Sequence, residues 1–377
     1  MTLPIRLGMV VHVMQVAGAE VLVRETIRRL AGKITPTIFC LDAVGQIGEE
    51  LVREGVDLVC FNRRPGRDWS VSRKLARSLE ERRIEVLHAH QYTPFFYSAL
   101  ARPLCLFRPR LILTEHGRHY PDRVSPVRRA VNRLVLDRLA DSVTACCHFS
   151  AEGLARVDGF AGGRIETIEN GIDVEKYASH ESKSSAQKRL GLDPTRTYII
   201  HVARHHPVKD QPTLLRAFAL IAAEYPTVDL VLVGSGPLRE ELEHLVIDLR
   251  IMDRVNFLGI RPDIPELMHA ADVFALPSLS EAASLTLLEA MASGLPAVVT
   301  AVGGNPEIVR HEREGLLFPR GDAAACAAAF RRLLSDSSFA ERLGAAGRER
   351  AVEKYQLSRT VEQYYRLYCR LAGRTPE

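Results

Sequence analysis

Two carboxylates, Glu281 and Glu289, stand eight residues apart in Ser280-Glu-Ala-Ala-Ser284-Leu-Thr-Leu-Leu-Glu289-Ala-Met-Ala-Ser-Gly294, a segment that is otherwise apolar or small. Ser284 is a good N-cap, and Gly294 followed by Leu-Pro is a good stop, so the pattern predicts a helix from about Leu285 to Ser293. Glu281 then lies in the loop before the helix. Glu289 sits one turn in, among Leu285, Leu288 and Ala292, with its side chain leaning back toward the helix N-terminus. A carboxylate in such a stretch is costly unless something hydrogen-bonds it, and a polyhydroxylated ligand could do so.

A second group of candidates follows the strand-like run Tyr198-Ile-Ile-His-Val-Ala203. There Arg204 and Lys209 flank His205-His206-Pro-Val. In open α/β sheets ligands collect at the carboxyl ends of strands, where an Arg fork and a Lys point charge together suit a diphosphate. Two cations after a strand also occur by chance. His205 and His206 invite a metal reading, but adjacent histidines rarely face one ion, no third ligand is apparent and no Asp-x-Asp pair exists, so no metal is expected. Near the start, Ala17-Gly18-Ala-Glu20 opens a helix after a strand, and Gly18 would let backbone approach a phosphate. Neither G-x-G-x-x-G nor a Walker A sequence is present. His116, in Glu115-His-Gly117, also follows a strand and is either a site residue or a structural histidine. Asn170-Gly-Ile-Asp173 reads as a turn leaving a domain.

The elements that must hold these residues alternate from end to end. Strand-like runs at 7–13, 35–41, 56–61, 84–89, 110–114, 142–146 and 165–168 are separated by amphipathic stretches such as 19–31, 69–83 and 126–140. The pattern pauses over the polar, Gly- and Pro-punctuated stretch 174–196 and then resumes. The fold class is therefore α/β, with two doubly wound parallel sheets: a first domain over 1–173, a linker at 174–196, a second domain over 197–354, and a final helix within 355–377. That helix carries Leu357, Val361, Tyr364, Tyr365, Tyr368 and Leu371 on one stripe, suited first to docking across the domains and second to a membrane.

A chain of 377 residues fits two domains of ordinary size. It has no apolar run long enough to span a bilayer, and its start reads as a strand rather than a signal peptide, so a cytoplasmic protein is expected. Seven cysteines without a C-x-x-C pair read as reduced, buried thiols. Residues 1–171 hold 25 Lys and Arg against 19 Asp and Glu, so the excess of positive charge belongs to the first half. It concentrates in Arg102, Arg108 and Arg110, interleaved with Leu104, Leu106 and Phe107, and in Arg123, Arg128, Arg129, Arg133 and Arg138. Such a face suits anionic lipid headgroups or an anionic acceptor, or is simply a solvated arginine-rich surface.

In their order and spacing these residues resemble the retaining glycosyltransferases of GT-B fold, family 4. The resemblance is carried by Ala17-Gly-Ala-Glu20, Glu115-His-Gly117, Asn170-Gly-Ile-Asp173, Arg204 with Lys209, Gly234-Ser-Gly-Pro237, Phe257-Leu-Gly259, Glu281 to Gly294, Gly303-Gly-Asn-Pro-Glu307, Gly315-Leu-Leu317 and Gly321-Asp322. It implies two Rossmann-like domains with an inter-domain cleft, an N-terminal acceptor-binding domain, a C-terminal nucleotide-sugar-binding domain, and a last helix crossing back onto the first. By position it makes His116, Arg204, Lys209 and Glu281 the catalytic group: Arg204 and Lys209 clamp the diphosphate, Glu281 meets the donor sugar, and His116 lies beside the anomeric carbon. Glu289 would accept the ribose hydroxyls, the backbone at Ala283, Ser284 and Leu285 would meet the distal phosphate and sugar, Gly18 would meet the phosphate from the other domain, and Gly259, Ile260 and Arg261 would border the base. Ala17 stands where the family usually has glycine, Ala282 and Ala283 where it often has Gly and a bulky residue, and His205 where it often has Leu.

The implied function is transfer of a sugar from a UDP- or GDP-sugar, with retention and without metal or other cofactor, to a sugar or lipid-linked acceptor in exopolysaccharide or cell-envelope glycan synthesis. The site would lie at the inner face of the membrane, with peripheral association through the basic N-terminal domain and no nucleic-acid partner. A nucleotide-sugar 2-epimerase of the same architecture, forming product with no acceptor, and a non-catalytic nucleotide-sugar-binding subunit are the alternatives.

Overall fold

The computed structural model describes residues 3–117, 124–178 and 181–376, so Arg123 of the basic cluster and Ser179 and His180 of the expected linker lie outside the described residues. The chain divides into two compact units, residues 1–170 with 358–377, and residues 171–357.

The first unit is built on a seven-stranded sheet of β1 (Ile5–Val13), β2 (Ile34–Ala43), β3 (Asp57–Cys60), β4 (Val86–His90), β5 (Arg110–Glu115), β6 (Ser142–Ala145) and β7 (Ile165–Thr167). Their order is β3-β2-β1-β4-β5-β6-β7, with every pairing parallel. Parallel strands covered on both faces must be apolar on both, which is why β1, β4 and β5 read as near-continuous hydrophobic runs. Val10, Phe39, Leu87, Leu113 and Val143 meet Leu75 and Phe95 of the covering helices in one core.

The final helix, Leu357–Ala372, has the predicted stripe. Residues 358–377 belong to the first unit, where Tyr364 and Tyr368 are almost wholly buried. Tyr368 Oη lies 2.8 Å from His88 Nδ1, His88 Nε2 lies 2.6 Å from Thr114 Oγ1, and Thr114 Oγ1 lies 2.5 Å from Thr144 Oγ1. Thr144 donates to the Leu113 carbonyl. A carbonyl only accepts, so the chain has one direction that satisfies every link: Tyr368 donates to His88, His88 donates from Nε2 to Thr114, and Thr114 donates to Thr144.

The second unit has six strands, β8 (Thr197–Val202), β9 (Val228–Val233), β10 (Val255–Gly259), β11 (Val273–Leu276), β12 (Ala297–Thr300) and β13 (Gly315–Phe318). They are all parallel, in the order β10-β9-β8-β11-β12-β13. The stretch 174–196, expected as a linker, is instead folded into this unit. Val174–Tyr177 is a 3-10 turn and Lys183–Arg189 is a helix capped by Ser182. Val174 and Ala186 are buried, and Gln187 Nε2 donates to the Ala270 carbonyl at 3.0 Å. The segment has few apolar residues, too far apart to form a periodic stripe, yet Val174, Tyr177, Leu190 and Leu192 all reach the same core.

All seven cysteines are free, six of them buried and Cys60 half-buried. The basic cluster of the first unit divides. Arg102 and Arg110 pair with Asp141, and Arg128 pairs with Asp158, whereas Arg108, Arg129, Arg133 and Arg138 are exposed.

Candidate functional site

Each sheet reverses its strand order once, between β1 and β4 in the first unit and between β8 and β11 in the second. The crevice beyond the carboxyl ends of the strands at such a switch point is where doubly wound sheets bind ligands. In the second unit Arg204 and Lys209 leave β8, while Glu281 and Ser284 leave β11. The sequence-predicted residues therefore converge there from two loops. The loops are tied together by the Leu279 amide, which donates to the Val208 carbonyl at 2.8 Å.

Lys209 ends the 3-10 turn Pro207–Lys209 and places Nζ 2.5 Å from Glu281 Oε1. Ser278, fully buried, donates its hydroxyl to the same oxygen at 2.6 Å. Thr300 at the end of β12 in turn donates to the Ser278 carbonyl at 2.7 Å. Both side-chain bonds fall on Oε1, which leaves Oε2 as the acceptor available to a ligand. The Glu281 backbone is held as well: the Gly304 amide donates to its carbonyl at 3.1 Å. Gly303 has φ of +55°, and a Cβ there would stand 1.8 Å from the Glu281 carbonyl oxygen, so both conformation and space demand glycine. Arg204 is exposed, and among the described residues no ion pair engages its guanidinium.

The helix spans Leu285–Ala292, and Ser284 caps it by accepting from the Leu287 amide at 3.4 Å. Ala283 and Leu285 are half-buried at its mouth. Glu289 lies one turn in, as the spacing predicted. Burial raises its carboxyl to about 7, and the nearby Tyr177 hydroxyl opposes the rise. Gly259, Ile260 and Arg261 stand at the end of β10, the edge strand. The Gly259 carbonyl accepts from the Gly234 amide at 2.7 Å, and Ser235 accepts from the His205 amide at 2.9 Å, so this corner is laced to the Arg204 loop. Ile260 is exposed, and Arg261 is forked onto Asp263.

Gly18 and His116 belong to the first unit. Gly18 is the first residue of the helix Gly18–Arg29 after β1, and Ala17 supplies no side-chain cap. His116 follows β5, and its Nε2 lies 2.8 Å from His90 Nδ1 at the end of β4. Burial lowers His116 to about 4 and His90 well below its ordinary value, so this is a pair of neutral imidazoles at physiological pH. His205 is buried edge-on against Phe257, and His206 turns its Nδ1 to the Val208 amide. Among the described residues no three His, Cys, Asp or Glu side chains are gathered as a metal ion would require.

Reading the sequence missed Ser278 and His90. His90, in the run Val86-Leu-His-Ala-His90, carried a signal in ending a strand beside the one that carries His116. Ser278 carried none, being a loop serine.

Two family models account for most of the chain: one described as Glycosyltransferase Family 4 matches residues 16–176, and one described as Glycosyl transferases group 1 matches residues 182–350. N-acetyl-alpha-D-glucosaminyl L-malate synthase of Bacillus anthracis is 31% identical over 306 residues, 81% of this chain and 79% of that protein. The chain belongs to glycosyltransferase family 4. This glycosyltransferase is also 30% identical, over 72% of its own length and 74% of the other, to the GDP-mannose-dependent alpha-(1-6)-phosphatidylinositol monomannoside mannosyltransferase of Mycobacterium tuberculosis. Among solved structures, Anabaena HepE in complex with UDP superposes with a TM-score of 0.85 at 23% identity, covering 96% of this glycosyltransferase and 99% of HepE. Sucrose-phosphate synthase from Thermosynechococcus elongatus follows with a TM-score of 0.82 over 98% and 99%. The fold is GT-B, with two Rossmann-like parallel-sheet units.

Proposed function

We propose that this glycosyltransferase takes a sugar from a UDP- or GDP-sugar and transfers it with retention of anomeric configuration, without a metal ion. The observation that carries the reading is the convergence of Arg204, Lys209, Glu281 and Glu289 about the N-terminus of the helix Leu285–Ala292 at the switch point of the second sheet. Two cations and a helix N-terminus meet a diphosphate, and one carboxylate each meets the ribose and the sugar. In this reading the leaving phosphate takes the acceptor proton on the face where the new bond forms. Arg204, Lys209 and the amides of Ser284 and Leu285 stabilise the charge that develops on it. Gly18 and His116 contribute from the first unit, His116 as a neutral hydrogen-bonding group beside the sugar.

For the acceptor we propose a lipid-linked glycan of the cell envelope or an exopolysaccharide, met at the cytoplasmic face of a membrane. The mycobacterial relative named above acts on a phosphatidylinositol monomannoside. In the first unit Leu106, Phe107, Val127 and Leu134 are 88%, 66%, 73% and 60% exposed, in the same two segments as exposed Arg108, Arg129, Arg133 and Arg138. Large apolar side chains among cations suit an anionic interface.

The test is incubation with radiolabelled UDP- and GDP-sugars and membrane lipids, comparing wild type with Glu281→Ala and Lys209→Ala. Loss of transfer by about a hundredfold or more in each variant is the expected result for groups that act on the transition state. Undiminished turnover in both variants sinks the site assignment, and product formed without any acceptor points to epimerisation instead.

A further inference from the structure

Two histidines of the first unit meet at the carboxyl ends of neighbouring strands. His90 is the last residue of β4 and pairs in register with Thr114 of β5, so His116, two residues beyond Thr114, comes within its reach. The ring planes lie within 15° of each other with centroids 5.1 Å apart, and His90 Nδ1 is 2.8 Å from His116 Nε2, so the two nitrogens meet edge to edge. Both residues are held from behind. The His88 ring lies 4.0 Å from that of His90, centroid to centroid, and is itself locked between Tyr368 and Thr114. The Cys146 thiol donates to the His116 carbonyl at 3.4 Å. Just past His90 the backbone is strained: Gln91 has φ of +73° and ψ of 168°, a region that is essentially glycine's, while its amide donates to the Thr114 carbonyl at 2.7 Å. Strain of this kind persists where the surroundings over-determine it, and it clusters at functional sites.

Two neutral imidazoles carry one N–H each, and only one proton fits between the rings, so their tautomers are linked. If His116 donates from Nε2, its Nδ1 is bare and His90 carries an N–H at Nε2. If His90 donates from Nδ1, the reverse holds. His90 Nε2 and His116 Nδ1 are both shielded from solvent and have no hydrogen-bond partner among the described residues. His90 is enclosed in its strand at 5% exposure, whereas His116 is half-buried in the loop beyond β5. Buried N–H groups go unpaired more rarely than acceptors do, so the enclosed His90 Nε2 is the nitrogen left bare and His116 keeps the N–H that a ligand can answer. We propose that His90 is a positioning residue for His116, donating from Nδ1 to His116 Nε2 and so presenting His116 Nδ1–H to an oxygen of the donor sugar. The proposal rests on the reading of His116 as the group beside the sugar. The hydroxyl and ring oxygens near an anomeric carbon all accept, so a fixed N–H serves any of them, where a mixture of tautomers would serve only part of the time.

Long-range nitrogen–proton correlation spectra of the full chain, labelled with nitrogen-15 at histidine and held at neutral pH, tell the two neutral tautomers apart. The His116 signals are identified by their loss in His116→Ala. In wild type the proton should be on His116 Nδ1, with Nε2 accepting. His90→Leu removes the donor and should leave His116 without that single tautomer, whereas His90→Asn, whose amide nitrogen can stand where Nδ1 stood, should restore it. In transfer from labelled UDP- and GDP-sugars to membrane lipids, His90→Leu should lower kcat about tenfold, the worth of one hydrogen bond, with the donor KM little changed. His90→Asn should recover most of that loss. Added to His116→Ala, His90→Leu should cost less than about twofold more, because the two changes act on one group; a merely structural histidine would cost the same in either background. A proton on His116 Nε2 in wild type overturns the proposal, and that spectrum decides the matter even where His90→Leu does not fold. So does an unchanged His116 tautomer or an undiminished kcat in His90→Leu. If the spectra are as expected but His116→Ala transfers as wild type does, or no UDP- or GDP-sugar supports transfer, the reading of His116 beside the sugar fails, and the proposal with it.

Discussion

A carboxyl kept inside the second unit, where it is proposed to serve a ligand, should cost that unit stability, and Glu289 allows the cost to be worked out. Its ordinary value is 4.5 and its value in the fold is about 7. Between those two pH values the folded protein holds a proton that the unfolded chain has released, so folding takes up protons and stability falls as pH rises. Above pH 7 the whole penalty applies, about 3 kcal/mol at 1.36 kcal/mol per pH unit. Below the ordinary value both states are protonated and the penalty vanishes. Glutamine, isosteric and uncharged, is free of it at every pH. The Glu289→Gln protein should therefore unfold like wild type near pH 4.5 and be more stable by up to about 3 kcal/mol near pH 8. That raises the transition of the second unit by roughly 6–12 °C, taking 2–4 °C per kcal/mol for a unit of this size. Scanning calorimetry of both proteins at several pH values measures the difference directly. Donor binding should move the other way, weakening about tenfold or more, because the amide replaces a charge-assisted acceptor. A stability difference that stays constant from pH 4.5 to pH 8 would refute the argument, since it would mean that Glu289 is no more reluctant to ionise in the fold than out of it.

Two further outcomes are expected. Gly303→Ala places a methyl group 1.8 Å from the Glu281 carbonyl oxygen and at φ of +55°; it should shift the Glu281 loop, cost about 2–4 kcal/mol in denaturant unfolding, and abolish transfer even where the protein remains folded. If the exposed apolar residues of the first unit meet a membrane, sedimentation with vesicles containing anionic lipid should carry down wild type at low salt and much less at high salt, and the double variant Leu106→Ser, Phe107→Ser should stay in solution; equal recovery of both proteins with neutral and anionic vesicles counts against a membrane-facing surface.

The sheets were legible because a buried parallel strand must be apolar on both faces, and runs such as Ile5–Val13 and Val228–Val233 say so without help from the rest of the chain. The helix Leu285–Ala292 was legible from its cap, and its observed end falls one residue short of the predicted Ser293. The stretch 174–196 was not, because its few apolar residues are buried by elements far along the chain. The His88–Tyr368 contact, 280 residues apart, is beyond any local pattern.

The same division runs through the candidate site. Arg204, Lys209, Glu281 and Glu289 stand out in the sequence because each breaks a local rule, a charge where the neighbours are apolar or where a strand ends. Ser278 breaks none: it resembles any loop serine. Yet its hydroxyl bonds the Glu281 carboxylate. Ser278 and Lys209 both bond Glu281 Oε1, so Oε2 is the oxygen left for the sugar proposed to bind there. Lys209 has three donors and gives one to Glu281, so the cation proposed for the diphosphate and the carboxylate proposed for the sugar are held as one unit before either ligand group arrives. The chemistry is written in residues that conflict with their surroundings, and its geometry in residues that agree with them; the second kind becomes visible only when the fold supplies their partners.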